Sequence, residues 1–157
     1  MKLTVRGVRS VDIEMGEPER AAKFYSKIWN LTEVERNGSS IWFRGTGPWH
    51  HILAIHQARG PAALRRLTFD AANRDIVKAL HNKVAASGCT TEEPHEIDGP
   101  GGGYGFGFAD VENRMVAAID AGRVEQLLDD LAAFASALGQ ESGQGASDTG
   151  AQDDSPQ

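Results

Sequence analysis

The chain has little of what would tie it to a particular partner or compartment. Its 157 residues hold one cysteine, Cys89, so no intrachain disulfide can form, and a reducing compartment suits it. It has no excess of basic charge. The formal net charge is −6, which argues against nucleic acid as the main partner, because a phosphate backbone selects a basic face. No stretch approaches the roughly 20 apolar residues of a membrane span. The start, Met1 to Arg6, carries no apolar run of signal-peptide length. The expectation is a cytoplasmic protein with no nucleic-acid and no membrane partner. A core is not lacking: 40% of residues are hydrophobic and 24% charged, as in ordinary soluble domains.

What is present is a repeat. Val8 to Ile13 reads as a strand, and Leu64 to Phe69 repeats its pattern 56 residues later. The same offset carries Ala21, Phe24 and Ile28 onto Val77, Leu80 and Val84, so one strand–helix–strands unit is written twice. The repeat sets Ser10 and Arg66 at matched positions.

Within the first unit, Val11, Ile13 and Met15 alternate with Ser10, Asp12 and Glu14, the pattern of a half-buried strand. Gly16-Glu17-Pro18 breaks it and starts a helix whose Ala21, Phe24, Tyr25 and Ile28 share one face. Short strands are expected near Glu33–Arg36, Ser40–Arg44 and His50–His56, with Asn37-Gly38 as a hairpin turn. In the second unit Asn73 can cap a helix over Ile76, Val77, Leu80 and Val84, and Gly88 can end it. Strands near Thr90–His95, Tyr104–Ala109 and Met115–Asp120 would complete it. The expected domain is 5–121, with modules at about 5–57 and 64–121. Val124, Leu127, Leu128, Leu131, Ala135 and Leu138 then recur at helical spacing, which predicts a helix over 122–139. Its acidic Glu125, Asp129 and Asp130 unsuit it to a membrane surface and suit it to docking on the domain or on a second subunit. Residues 140–157 contain no large apolar side chain and are expected to form a disordered acidic tail. With the tail's four carboxylates set aside, the rest of the chain carries −2.

Four stretches carry a resemblance. GEPERAAKFYSKIWNLTEVE, WFRGTGPWHHILAI, LRRLTFDA and GGGYGFGFADVENRMVAAI occur in the order and spacing of the vicinal oxygen chelate superfamily. That group includes glyoxalase I, bleomycin-resistance proteins and extradiol ring-cleaving dioxygenases. The chain looks most similar to the amino-terminal, non-catalytic domain of two-domain extradiol dioxygenases. The resemblance implies an α+β fold of two βαβββ modules forming a cupped, mainly antiparallel sheet, with the C-terminal helix added. It also implies a cavity on the sheet face opposite the helices.

The resemblance further implies metal ligands on the first, fifth and eighth strands. Those positions hold Ser10, Arg66 and Ala117. Ser is a poor neutral ligand, Arg repels a cation and Ala offers no donor. The expectation is therefore no metal and no resident cofactor, the alternative being Fe(II) or Mn(II) held by rearranged ligands. Val111 and Asn113 replace the family's usual Pro and Gly in the closing hairpin.

The candidate ligand-binding residues are Ser10, Asp12, Arg66, Thr68, His50 and His56. Phase sets Ser10, Asp12 and Glu14 on one strand face, and Arg66, Thr68 and Asp70 on the corresponding face of the fifth strand. Arg66 can anchor a carboxylate or phenolate, or it can close an internal ion pair with Asp12 or Glu14. His50 and His51, as adjacent strand residues, would point to opposite faces. His50 and His56 would share a face roughly 20 Å apart, too far for one metal. These histidines mark a strand start, line a cavity or transfer a proton. The run Gly99 to Gly107 fits no G-x-G-x-x-G register and leads into a strand, so it reads as a hairpin loop rather than a phosphate cradle. Tyr104, Phe106 and Phe108 share a face suited to the core. His81 reads as a solvated helix residue, and Cys89 as a small buried apolar group.

These readings imply a protein without the usual metal site that binds a small aromatic or anionic ligand, or serves as a structural domain. A homodimer or a catalytic partner subunit is the expected assembly. The alternatives are a ring-cleaving dioxygenase, a glyoxalase-type lyase or isomerase with rearranged ligands, and a drug-sequestering resistance protein. No catalytic residue is assigned.

Overall fold

A computed structural model describes residues 5–121. The helix expected over 122–139 and the tail expected over 140–157 lie outside the described residues. The elements follow in chain order as β1 (Val5–Met15), α1 (Pro18–Lys27), β2 (Thr32–Asn37), β3 (Ser40–Arg44) and β4 (Leu53–Gln57), then β5 (Ala63–Ala71), α2 (Arg74–Ala86), β6 (His95–Glu96), β7 (Tyr104–Ala109) and β8 (Met115–Asp120). This is a βαβββ unit twice over. The 56-residue offset survives in the element boundaries, since β1 ends at Met15 and β5 at Ala71, while α1 starts at Pro18 and α2 at Arg74.

The described residues form one eight-stranded open sheet in the order β2-β3-β4-β1-β5-β8-β7-β6. The two modules therefore meet along β1 and β5, which run antiparallel. Each of these central strands pairs in parallel with the last strand of its own module, β1 with β4 and β5 with β8. The remaining pairings are antiparallel.

Both helices cover one face. Under α1, Ala22, Ile41, Phe43 and Ile55 are buried together. Under α2, Ala71, Ile76, Val77, Phe106 and Ala118 form the second cluster, with Tyr104 and Phe108 packed against it. The aromatic face of β7 thus belongs to the core, as its alternation indicates. Burying side chains such as Phe43, Phe106 and Val77 contributes roughly 1.5–3 kcal/mol each. The helix ends obey local chemistry. The Asn73 side chain accepts a hydrogen bond from the Ile76 N–H at 3.0 Å, and Gly88 follows α2 with φ +82°, the left-handed conformation that favours glycine.

Four details differ from expectation. β4 begins at Leu53, so His50 and His51 precede it in a bend, and their rings meet edge to face at 5.3 Å rather than pointing to opposite faces. The strand expected over Thr90–His95 reduces to a Thr91–Phe108 bridge and the two residues of β6, because Pro94 has no N–H for a ladder. On α1, Pro18 and Ala22 are the buried residues, while Phe24 and, at the C-cap, Ile28 are exposed. His81 is buried under α2 against the Phe106 ring, 5.2 Å between centroids, rather than solvated.

Candidate functional site

The face without helices carries a cavity of about 200 Å³. It is lined by Arg9, Ser10 and Asp12 of β1, Trp42 of β3, His51, and His56 of β4. Arg65, Arg66 and Thr68 of β5, Ile119 of β8 and the loop residues Ile97, Gly99, Pro100 and Gly102 complete the wall. Five of the six expected residues therefore meet here: Ser10, Asp12, Arg66, Thr68 and His56. His50 does not line the cavity. Its Nδ1 lies 3.1 Å from Nδ1 of His51, which does, and its Nε2 lies 3.4 Å from Glu35.

Strict alternation finds Ser10, Asp12, Arg66 and Thr68 but misses Arg9 and Arg65. The β1/β5 register explains why. Ser10 pairs with Thr68 and Asp12 with Arg66, but the ladder slips between Val5 and Gly7, between Val8 and Ser10, and between Asp12 and Ile13. Each slip inserts one extra residue outside the Cα register: Arg6, Arg9 and Arg65 in turn. A bulge re-aims the extra side chain. Arg9 and Ser10 consequently face the same cavity, as do Arg65 and Arg66. Nothing in residue spacing signals a bulge, although an arginine at every one is a pattern the sequence holds in plain view.

The charges around the cavity are unevenly matched. Arg6 binds Asp70 through two contacts, at 2.7 and 3.1 Å, away from the cavity. Arg65 lies 3.7 Å from Glu14. Arg9 is buried and donates to the Gly101 carbonyl at 3.2 Å. Asp12 lies 3.0 Å from Nε2 of His56, whose Nδ1 lies 2.8 Å from the Ser40 hydroxyl. The Trp42 ring packs edge-on against His56. Arg66 has no hydrogen-bond or ion-pair partner among the described residues. Its expected internal pair with Asp12 or Glu14 does not form, because those carboxylates are engaged by His56 and Arg65.

The loop over the cavity requires glycine. Gly101 has φ +84°, and a Cβ there would fall 2.8 Å from Nη2 of Arg9 and 3.4 Å from Nδ1 of His51. The glycine run thus brings backbone against Arg9 and His51, a role different from phosphate cradling.

The ligand positions implied by the resemblance can also be located. Ser10 pairs with Thr68, and Thr68 with Ala117, so the central row across β1, β5 and β8 presents two hydroxyls and a methyl group. Arg66 stands two pairs further along, opposite Asp12. Neutral hydroxyls and a guanidinium do not fit a divalent cation. Among the described residues no group of three or more His, Cys, Asp or Glu side chains is arranged to hold a metal ion.

Comparison with known proteins follows the fold. The sequence profile of the Glyoxalase/Bleomycin resistance protein/Dioxygenase superfamily matches residues 8–117. Among solved structures, the Mn(II)-bound glyoxalase from Novosphingobium aromaticivorans is similar with a TM-score of 0.71 and 28% identity, over 74% of this chain and 39% of that one. Homoprotocatechuate 2,3-dioxygenase from Arthrobacter globiformis superposes with a TM-score of 0.66 at 21% identity, over 74% of this chain and 36% of the enzyme. The H200C variant of the enzyme from B. fuscum gives 0.67 at 19%, over 74% and 32%. The chain thus spans less than half the length of each. No curated protein sequence matches it.

Proposed function

Because the chain belongs to the glyoxalase/bleomycin resistance protein/dioxygenase superfamily, we propose that its cavity binds a small organic anion, held by arginine side chains at the place where the resemblance sets metal ligands. One observation carries this reading: Arg66 lines the cavity without a hydrogen-bond or ion-pair partner among the described residues, while Asp12 and Glu14 are engaged by His56 and Arg65. Arg66 is itself exposed, and a guanidinium bordering the cavity is a bidentate donor suited to a carboxylate or phenolate. Arg9 and Arg65 add positive charge to the same wall, against the single carboxylate of Asp12. A volume of about 200 Å³ falls below the roughly 300 Å³ at which pockets begin to take drug-sized molecules, so the ligand is small. The same charges disfavour the cationic ligands that a drug-sequestering reading would need. The reading requires neither iron nor manganese.

The test is calorimetric titration of the full chain with benzoate, 2-oxobutyrate and inorganic phosphate, with benzylamine as the cationic control. Carboxylates are expected to bind and benzylamine to give no heat. Phosphate binding alone would place the ligand in another anion class. Arg66→Met is expected to weaken carboxylate binding roughly ten- to a hundredfold, the worth of a charge-assisted hydrogen bond. Benzylamine binding, or an affinity untouched by Arg66→Met, would overturn the assignment.

A further inference from the structure

Asp12 holds a place in the cavity that anion binding does not use. Its Oδ2 lies 3.0 Å from Nε2 of His56, and Nδ1 of His56 lies 2.8 Å from Ser40 Oγ. With the Ser40 hydroxyl donating to Nδ1, the imidazole proton sits on Nε2 and points at the carboxylate. One carboxylate oxygen is thereby fixed, and the other, Oδ1, has no donor among the described residues. His56 is buried and its ring is wedged by Trp42, so the carboxylate is held in orientation.

The three residue types are those of a hydrolytic triad, but their order is reversed. Asp12 lines the cavity, while Ser40 stands at the far end and does not. The serine is therefore not a nucleophile toward anything bound there. The group presented to a ligand is a carboxylate supported by a histidine, which is the form of a general base. Its neighbour across the ladder is Arg66. Directly opposed residues hold their Cβ atoms about 5 Å apart, so base and anion anchor stand within the length of one small molecule.

We infer that Asp12 is a general base that removes a proton from the carbon beside the carbonyl of a small 2-oxo acid, without a metal. The inference rests on the anion-site reading, since Arg66 must hold the carboxylate. In the step, the C3–H bond breaks and its proton passes to Oδ1 of Asp12. The electron pair moves to the C2 carbonyl oxygen, forming an enolate on a cavity wall that also holds the buried Arg9 guanidinium. Return of a proton to C3 restores the acid and the carboxylate, so no oxidant or reductant is required. In D2O the returning particle is a deuteron once the acid on Asp12 has exchanged with solvent. His56 and Ser40 act as positioning residues.

Deuterium wash-in at C3 of 2-oxobutyrate, followed by proton NMR with the full chain and a chelator present, tests the inference. The chain is expected to accelerate exchange at least tenfold over buffer. Asp12→Asn should remove most of that acceleration, a loss of roughly a hundredfold where the full effect is realised, while calorimetric affinity for 2-oxobutyrate stays within a few-fold. His56→Gln should lower the saturating rate without raising the half-saturating concentration, a split that simple loss of structure would not give; circular dichroism verifies the fold of both variants. Binding without exchange would overturn the base and leave the anion site standing. Absence of carboxylate binding would overturn both. Exchange abolished by chelator and restored by Mn(II), or unchanged in Asp12→Asn, would also overturn the base.

Discussion

Asp12 and Arg66 face each other across the β1/β5 ladder and do not form an ion pair. Opposite charges on directly opposed positions ordinarily attract. Here Asp12 is engaged by His56, and Arg66 is left facing the cavity. Replacing Arg66 by a residue of similar length without charge should therefore cost ligand affinity rather than fold. Arg66→Met is expected to stay within about 0.5 kcal/mol of the parent in stability, as for a surface substitution that breaks no native contact. Chemical denaturation checks it, and a loss of several kcal/mol would mean that Arg66 has a structural partner.

Gly105 gives the sharpest steric prediction. A Cβ there would lie 2.5 Å from the Ala118 carbonyl oxygen and 2.9 Å from Cα of Ile119, so backbone would have to move. Gly105→Ala should destabilise by about 1–3 kcal/mol or more, the usual cost of overpacking. Gly16→Ala, with nothing within 4 Å of the added atom, is the matched control and should lie within about 0.5 kcal/mol of the parent.

The α2 cap is separable from the site. Asn73→Ala removes the acceptor for the Ile76 N–H and should cost about 1 kcal/mol, whereas Asn73→Asp keeps a capping oxygen and should cost little. Anion affinity should be unaltered in both, as a titration beside the unfolding curve would establish.

His81 is buried with Nε2 lacking a hydrogen bond among the described residues; the Glu93 carboxylate, at 3.8 Å, is exposed and beyond hydrogen-bond reach. A buried polar atom left unsatisfied costs roughly 1–3 kcal/mol. His81→Leu should therefore raise the thermal midpoint. A lowered midpoint would mean that the ring's edge contact with Phe106 outweighs the desolvated nitrogen.

The β7–β8 hairpin should weaken in acid. Asp110 accepts backbone hydrogen bonds from Arg114 and Glu112, both at 2.9 Å, and a side-chain bond from Arg114 Nε at 2.8 Å. The Arg114 N–H first, then that of Glu112, then the Arg114 guanidinium hold its carboxyl below the ordinary value of 3.8. Because the folded value is the lower one, the stabilisation is complete above pH 3.8 and is lost as pH falls through the folded value. Asp110→Ala should be less stable than the parent at pH 7, with the difference shrinking toward pH 2 in paired thermal melts.

The sequence made the duplication legible because hydrophobic period and boundary chemistry repeat together: the β1 and β5 patterns, Pro18, Asn73 and Gly88. It also located Ser10, Asp12, Arg66, Thr68 and His56, since side-chain parity along a regular strand fixes which face each takes. It missed Arg9 and Arg65 because a bulge breaks parity, and periodicity assumes parity. It placed His50 and His51 on a strand because histidine carries no turn signal of its own, although Gly45, Gly47 and Pro48 just before them do. The Asp12–His56–Ser40 chain was invisible because its members come from three strands that only the sheet order brings together.

The cavity is assembled at the seam between two halves. Arg9, Ser10, Asp12 and His56 come from one module, Arg65, Arg66 and Thr68 from the other, and the short connection between Gln57 and Ala63 supplies none of them. The cavity wall is thus a joint product of both halves. If the chain were cut within that connection, neither fragment would hold the whole wall, and under the proposed function anion capture would report their reunion.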